Sequence, residues 1–288
     1  MKLATFTRGN GSELGAVVAD EIFPLKEMPG APDTMIALIS QWDDWVAPIH
    51  AFITSTNTSI ATNAVTLLAP IARPGKILAI GLNYADHVAE SGHELPKEQV
   101  WFCKHTTSVN GPFAPVEVPA VSDKIDYEVE LVAVIGKKGR HISVENAPDH
   151  VFGYCVGNDI STRDWQIATP QWMLGKSFDT HGPFGPVITT ADEICDPHRL
   201  RITCALNGEI RQDSNTKNLI FSVWDQIAHL SKAMTLEPGD LIFTGTPGGI
   251  GALAKPPRFL RAGDIVRCEI EELGAIENLF EDEELPTQ

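Results

Sequence analysis

Asp126-Tyr127-Glu128-Val129-Glu130-Leu131-Val132-Ala133-Val134-Ile135-Gly136 alternates acids with apolar residues, then runs apolar into a glycine. That pattern predicts a strand over residues 128–135 whose later part is buried. Successive side chains of a strand alternate faces, so Asp126, Glu128 and Glu130 are expected to point the same way, about 7 Å apart. Like charges at that spacing repel. Acids entering an interior need a counter-charge, and oxygen ligands on a rigid strand suit Mg²⁺ or Mn²⁺. A solvated strand face carries the same spacing. Spacing alone leaves both readings open.

Outward from this strand the chain is rich in short strands, predicted over residues 76–80, 152–156, 201–206, 241–244 and 265–270. Asn207-Gly208 marks a hairpin, since both turn residues tolerate positive φ. A helix is predicted from about 218 to 234, with Ile220, Val223, Trp224, Ile227 and Leu230 on one face. There is no βαβ alternation, which disfavours a doubly wound parallel sheet. The first 70 residues read as a small separate α+β domain. Strands over 3–7 and 16–19 flank a Gly/Asn turn, and Asp33 is the expected N-cap of a helix through Met35, Leu38, Ile39 and Trp42. A proline-bounded linker over 69–74 leads to the body, residues 71–288. The expected class is α+β, mostly β.

The chain has 288 residues, 22 Lys and Arg against 38 Asp and Glu, and a formal charge of −16. Such acidity argues against nucleic acid and anionic membrane surfaces as partners. An anionic substrate would need a local reversal of this field, which a metal ion provides. Five cysteines lie scattered without a C-x-x-C pair and read as reduced, inert thiols. The N-terminus lacks a signal-peptide pattern, and no apolar run approaches the ~20 residues of a membrane span. A soluble cytoplasmic protein is expected.

Several further residues are candidates for chemistry. Asp159 ends an apolar strand containing Gly153 and Gly157, a position where functional side chains are often held. In the predicted short helix after Gly81, His87 and Glu90 share a face at i, i+3, and a carboxylate that orients an imidazole makes a general base. A chance pair on an exposed helix has the same spacing. Gly175-Lys176-Ser177 is not a phosphate loop, because Pro170 stands where the first glycine is required. Lys176 is better read as a lone cation available to an anionic substrate or enolate. The glycine-dense turn 244–251 offers backbone N–H groups and the Thr246 hydroxyl to a carboxylate, or is a plain surface loop.

Six stretches in order resemble the fumarylacetoacetate hydrolase family: GLNYADHVAESG (81–92), DYEVELVAVIG (126–136), GNDISTRDWQ (157–166), GKSFDTHGPFGP (175–186), LNGEIRQ (206–212) and TGTPGGIG (244–251). The resemblance covers about residues 75–275; the first 70 match the family's small N-terminal domain only loosely. It implies a mixed β-roll and a homodimer. It implies Glu128, Glu130 and Asp159 as ligands of Mg²⁺ or Mn²⁺, and His87 with Glu90 as a proton-relay pair on a mobile lid helix. Lys176 is implied beside the metal, Arg163 and Gln166 at the substrate, and Thr246 at its carboxylate. Arg163 or Lys104 is a candidate contact for a second carboxylate. The implied substrate is a small 2-oxo acid, with an enolate formed as a bond to C3 breaks. The expected reaction is hydrolysis of a fumarylpyruvate- or maleylpyruvate-type acylpyruvate to pyruvate and a carboxylic acid. The alternative is a decarboxylase or isomerase of a related 2-oxo dicarboxylate.

Overall fold

The structure is a computed structural model that describes residues 1–9, 11–92 and 94–285. The chain is α+β and mostly β. A large mixed sheet contains, in order, Lys2–Thr7, Gly182–Thr190, Val151–Asn158, Val129–Ile135, Leu241–Phe243, Ile77–Gly81 and Val100–Cys103. A second sheet of five strands runs Glu209–Asn215, Arg201–Leu206, Ile265–Ile270, Gly274–Asp282 and Val116–Val118.

The strand Val129–Ile135 lies near the middle of the large sheet and is buried at every residue. Val129, Leu131, Ala133 and Ile135 pack toward the second sheet with Ile202, Cys204, Val266 and Ile276. Val132 and Val134 point the other way, into a cluster with Leu3, Leu38, Phe184 and Phe243. Burial of both faces explains why the acid–apolar alternation gives way to an unbroken apolar run.

The expected boundary at residue 70 is crossed by this sheet. Lys2 and Leu3 register with Thr189 and Ile188, and the second cluster joins N-terminal to central residues. The N-terminal hairpin pairs Lys2–Thr7 with Ser12–Val18; its turn includes Asn10, which lies outside the described residues. The helix after it differs from expectation at its cap. Thr34, not Asp33, accepts the Ala37 N–H at 3.2 Å, and the helix is Met35–Ser40. Trp42 starts a second helix, Trp42–Ser55.

The helix expected from 218 begins at Val223 and ends at Ala233. Ser222 and Asp225 form a reciprocal capping box, and a single 3₁₀ turn precedes it. The Asn207-Gly208 hairpin forms as expected, with φ of 52° and 81°.

Candidate active site

Three carboxylates converge where two paired strands end. Val129 registers with Asn158 and Glu130 with Gly157, so the residue before one strand meets the residue after the other. The Asp159 N–H donates to the Glu128 carbonyl at 2.9 Å, and the Glu128 N–H to Asn158 Oδ1 at 2.9 Å. Ligand oxygens of Glu128, Glu130 and Asp159 lie within 4.8 Å of one another, all three buried. Asp126 does not join them. The strand breaks at Tyr127-Glu128, and Asp126 turns to accept from the Gly251 and Ala252 amides at 2.7 and 2.9 Å. Its expected place in the same-face row is corrected by that break.

Two buried lysines and a largely buried arginine answer these acids. Lys176 Nζ lies 2.6 Å from Glu128 and 2.7 Å from Asp159. Burial works against its charge, but Asp159 and Glu128 outweigh it and raise its pKa. Arg163 bridges Asp126 at 2.8 Å and Glu128 at 2.7 Å through Nη2, and donates through Nη1 to Gln166 at 2.9 Å. Although close to two carboxylates, Nη2 makes no well-aligned hydrogen bond. Lys104 lies behind the site, with Nζ on Asp159 Oδ1 at 2.8 Å and on the Ile160 and Lys176 carbonyls. All three of its donors are engaged, which corrects its candidacy as a contact for a substrate carboxylate.

Burial alone would raise the Glu128 carboxyl; Lys176 and Arg163 outweigh it and hold it well below the usual range. Burial, with Asp159 and Glu128 beside it, pushes Glu130 well above that range. Counting Asp126, and with Glu130 ionised as a bound cation would hold it, four carboxylates face three cations, an excess of one negative charge. A divalent cation would leave one positive charge in excess, the local field reversal that an anionic substrate needs. The all-oxygen donor set fits a hard cation such as Mg²⁺ or Mn²⁺.

Above the acids is a cavity of about 180 Å³. Its lining includes His87, Glu128, Glu130, Arg163, Gln166, Lys176 and Thr246, with an apolar part from Ile80, Leu82, Phe102, Trp172, Ile250 and Leu253. Asp159 lies beneath. His87 is on the helix Ala85–Ser91, and its Nδ1 is buried with no hydrogen-bond partner among the described residues. Burial is the largest influence on it and lowers its pKa. Glu90 shares its face but stands 4.0 Å from Nδ1, beyond hydrogen-bond reach. The Glu90 carboxylate instead accepts the Gly249 N–H at 2.8 Å.

The glycine-dense turn closes the site from the other side. Gly245 N–H donates to Glu130 at 2.8 Å, and Thr246 Oγ1 accepts from Gln212 Nε2 at 2.8 Å. That acceptance leaves the Thr246 O–H to donate elsewhere. Gln212 escapes the sequence reading. It is fully buried and ties Thr246 and the Pro247 carbonyl to the Val129 amide. Only an uncharged polar residue at an inward strand position hinted at it. Asp86 is also missed: it accepts from the His87 amide and the Ser214 hydroxyl, anchoring the helix.

The comparisons with known proteins agree with this geometry. A family model described as the fumarylacetoacetate (FAA) hydrolase C-terminal domain matches residues 76–281. The mitochondrial oxaloacetate tautomerase fahd2 of Xenopus laevis is 46% identical over 252 residues, 87% of this chain and 79% of that protein. A maleylpyruvate hydrolase from Sphingobium sp. SYK-6, solved with manganese(II) and pyruvate, superposes with a TM-score of 0.85 at 33% identity, covering 99% of this chain and 100% of that one. A 5-carboxymethyl-2-hydroxymuconate delta-isomerase from Mycobacterium smegmatis gives 0.79 at 31% identity, covering 98% and 100%. With its motifs in order, its acids assembled and its body matched throughout, the chain belongs to the fumarylacetoacetate hydrolase family.

Proposed function

We propose that this enzyme moves a proton at C3 of a small 2-oxo dicarboxylate of the oxaloacetate class, interconverting its keto and enol forms. The observation that carries the reading is His87 Nδ1, without a partner among the described residues and buried at the cavity it shares with Glu128, Glu130 and Lys176. Its lowered pKa keeps the imidazole neutral near pH 7, able to take a proton from C3 of the keto form and to return one. With Glu90 held on Gly249, His87 Nδ1 is left facing the cavity, within which a C3 proton of the substrate would lie. Lys176 keeps its charge in the same cavity and favours an enolate over a neutral ketone. A divalent cation on Glu128, Glu130 and Asp159 would add Lewis-acid polarisation of the substrate's 2-oxo group. The Thr246 hydroxyl is free to donate to the adjoining carboxylate, and Arg163 Nη2, which pairs with Glu128 without an aligned hydrogen bond, would have to turn from it to reach the second one.

The cavity is small beside the roughly 300–1,000 Å³ of ordinary ligand pockets, which favours a four-carbon acid. The 46% identity to an oxaloacetate tautomerase supports the same class. The test follows the enol absorbance of oxaloacetate with Mg²⁺ or Mn²⁺ while assaying products. Accelerated ketonisation without pyruvate supports the proposal; a rate equal to buffer with metal alone sinks it.

A second reading is hydrolysis of a fumarylpyruvate- or maleylpyruvate-type acylpyruvate. It is favoured by the shared helix face of His87 and Glu90, which a small shift would turn into a dyad for activating water. The likeness to the Sphingobium hydrolase supports it too. Hydrolysis releases pyruvate with an equimolar acid; decarboxylation of oxaloacetate releases pyruvate with CO₂. The same product assay, run on an acylpyruvate as well as on oxaloacetate, separates all three.

A further inference from the structure

The geometry points to Trp172 as the residue that sets how long a 2-oxo acid the cavity accepts. This inference rests on the 2-oxo-acid reading of the site but not on which reaction follows. From the carboxylates outward, Lys176 Nζ lies 4.8 Å from the Phe102 ring centroid, and Phe102 lies 5.7 Å from the Trp172 ring. Lys176 is 2% exposed, whereas Trp172 is only half-buried. Trp172 therefore stands at the outer end of the cavity, one ring removed from the charged floor, and both rings line it.

Gly81 makes this placement possible. A Cβ at that position would come within 2.3 Å of Trp172 Cζ3, so the indole rests directly on the glycine backbone. Gly81 ends the strand Ile77–Gly81 and has no side chain of its own to close the cavity. The indole takes that role. Trp172 lies between exposed residues 167–171 and a short 3₁₀ turn, Met173–Lys176, so the closure depends on the ring rather than on a strand or helix. A substrate held at the acids by its 2-oxo-carboxylate end can place a short second carboxylate on Arg163, whereas a longer or apolar far end enters the part of the cavity that these rings line. A short acid ends before Trp172; an aryl-bearing one overlaps it.

The test compares wild type with W172A, both loaded with Mn²⁺, by calorimetric titration with pyruvate and with phenylpyruvate. Turnover of oxaloacetate and of benzoylpyruvate is measured alongside. W172A is expected to shift the affinity ratio toward phenylpyruvate by about fivefold or more, given the one to two orders of magnitude that about one methylene commands in an apolar pocket. Mn²⁺ affinity should stay within about twofold, because Trp172 touches no ligand. A smaller ratio shift, or a parallel loss of both acids, overturns the proposal. Should W172A fail to fold, W172L carries the same test against the same threshold. A shifted ratio with no turnover of either acid defeats the proposed activity and leaves the Trp172 assignment standing. An unshifted ratio with turnover does the reverse.

Discussion

His87 and Glu128 sit within one cavity yet answer to different measurements. In the proposed reaction His87 acts as a neutral base beside the buried acids, so H87A is expected to lower kcat by about 10²–10⁴-fold. Mn²⁺ affinity should change by no more than about twofold. Stopped-flow loss of enol absorbance and Mn²⁺ titration by electron paramagnetic resonance read the two effects, and a wild-type rate would remove His87 from the mechanism. E128Q keeps the shape of a metal ligand and removes its charge. It also leaves Lys176 and Arg163 facing one acid fewer. A loss of at least about tenfold in Mn²⁺ affinity is expected, since even outer-shell partners of a metal cost 10–100-fold. Equal Mn²⁺ binding by E128Q and wild type would move the metal elsewhere. At this scale the sequence was informative about identity. All nine expected site residues lie in or directly beneath the cavity, or on the helix beside it. What it did not carry is pairing. Nothing local shows that Glu90 bonds Gly249 rather than His87, or that Arg163 is already committed to Asp126.

Single elements are fixed by caps and buried polar anchors, and these are testable apart from activity. The helix Val223–Ala233 begins in a capping box in which Ser222 Oγ accepts from Asp225 N at 3.1 Å. S222A should cost about 1 kcal/mol by urea unfolding; no loss would mean that packing alone sets this end. His181, just before the strand Gly182–Thr190, contacts the Glu117 carbonyl at 2.9 Å through Nε2 and so ties two elements together. Burial, its largest influence, lowers its pKa to about 3. The unfolded imidazole titrates near 6.5. Between these values the unfolded state binds a proton that the folded state refuses. Stability is therefore complete above about pH 6.5 and falls as pH drops toward 3, by up to about 1.4 kcal/mol per pH unit. H181Q should flatten this slope in urea titrations at pH 7, 6 and 5. An unchanged slope would assign the acid sensitivity to another group, such as His198, whose pKa burial also lowers.

The whole molecule is organised by one sheet that takes in both ends of the expected domain division. The N-terminal strand Lys2–Thr7 pairs with Gly182–Thr190 and places Leu3 and Phe6 at zero exposure. Removing residues 1–70 is expected to expose the edge of Gly182–Thr190 and part of the second cluster. The product should aggregate or unfold. A soluble, metal-binding fragment 71–288 would establish the body as an independent domain. L3A, a milder cut at the same seam, should cost about 2–5 kcal/mol in chemical unfolding.

Period and motif order determined a great deal by themselves. The alternation at 126–136 marked a central strand, Asn207-Gly208 a hairpin, and six stretches the family and the acids that come together in the buried triad, because these signals are local or linear along the chain. Tertiary structure alone decided the rest. The strand breaks at Tyr127-Glu128 because Asp126 finds amide partners at Gly251 and Ala252, over a hundred residues away. Lys104 turns inward because Asp159 and two carbonyls meet its three protons. The boundary at 70 is bridged because Leu3 finds its partner at Ile188. In each case a buried polar or apolar group is satisfied by a partner distant in sequence, and the free energy of that pairing has no trace in the residues nearby.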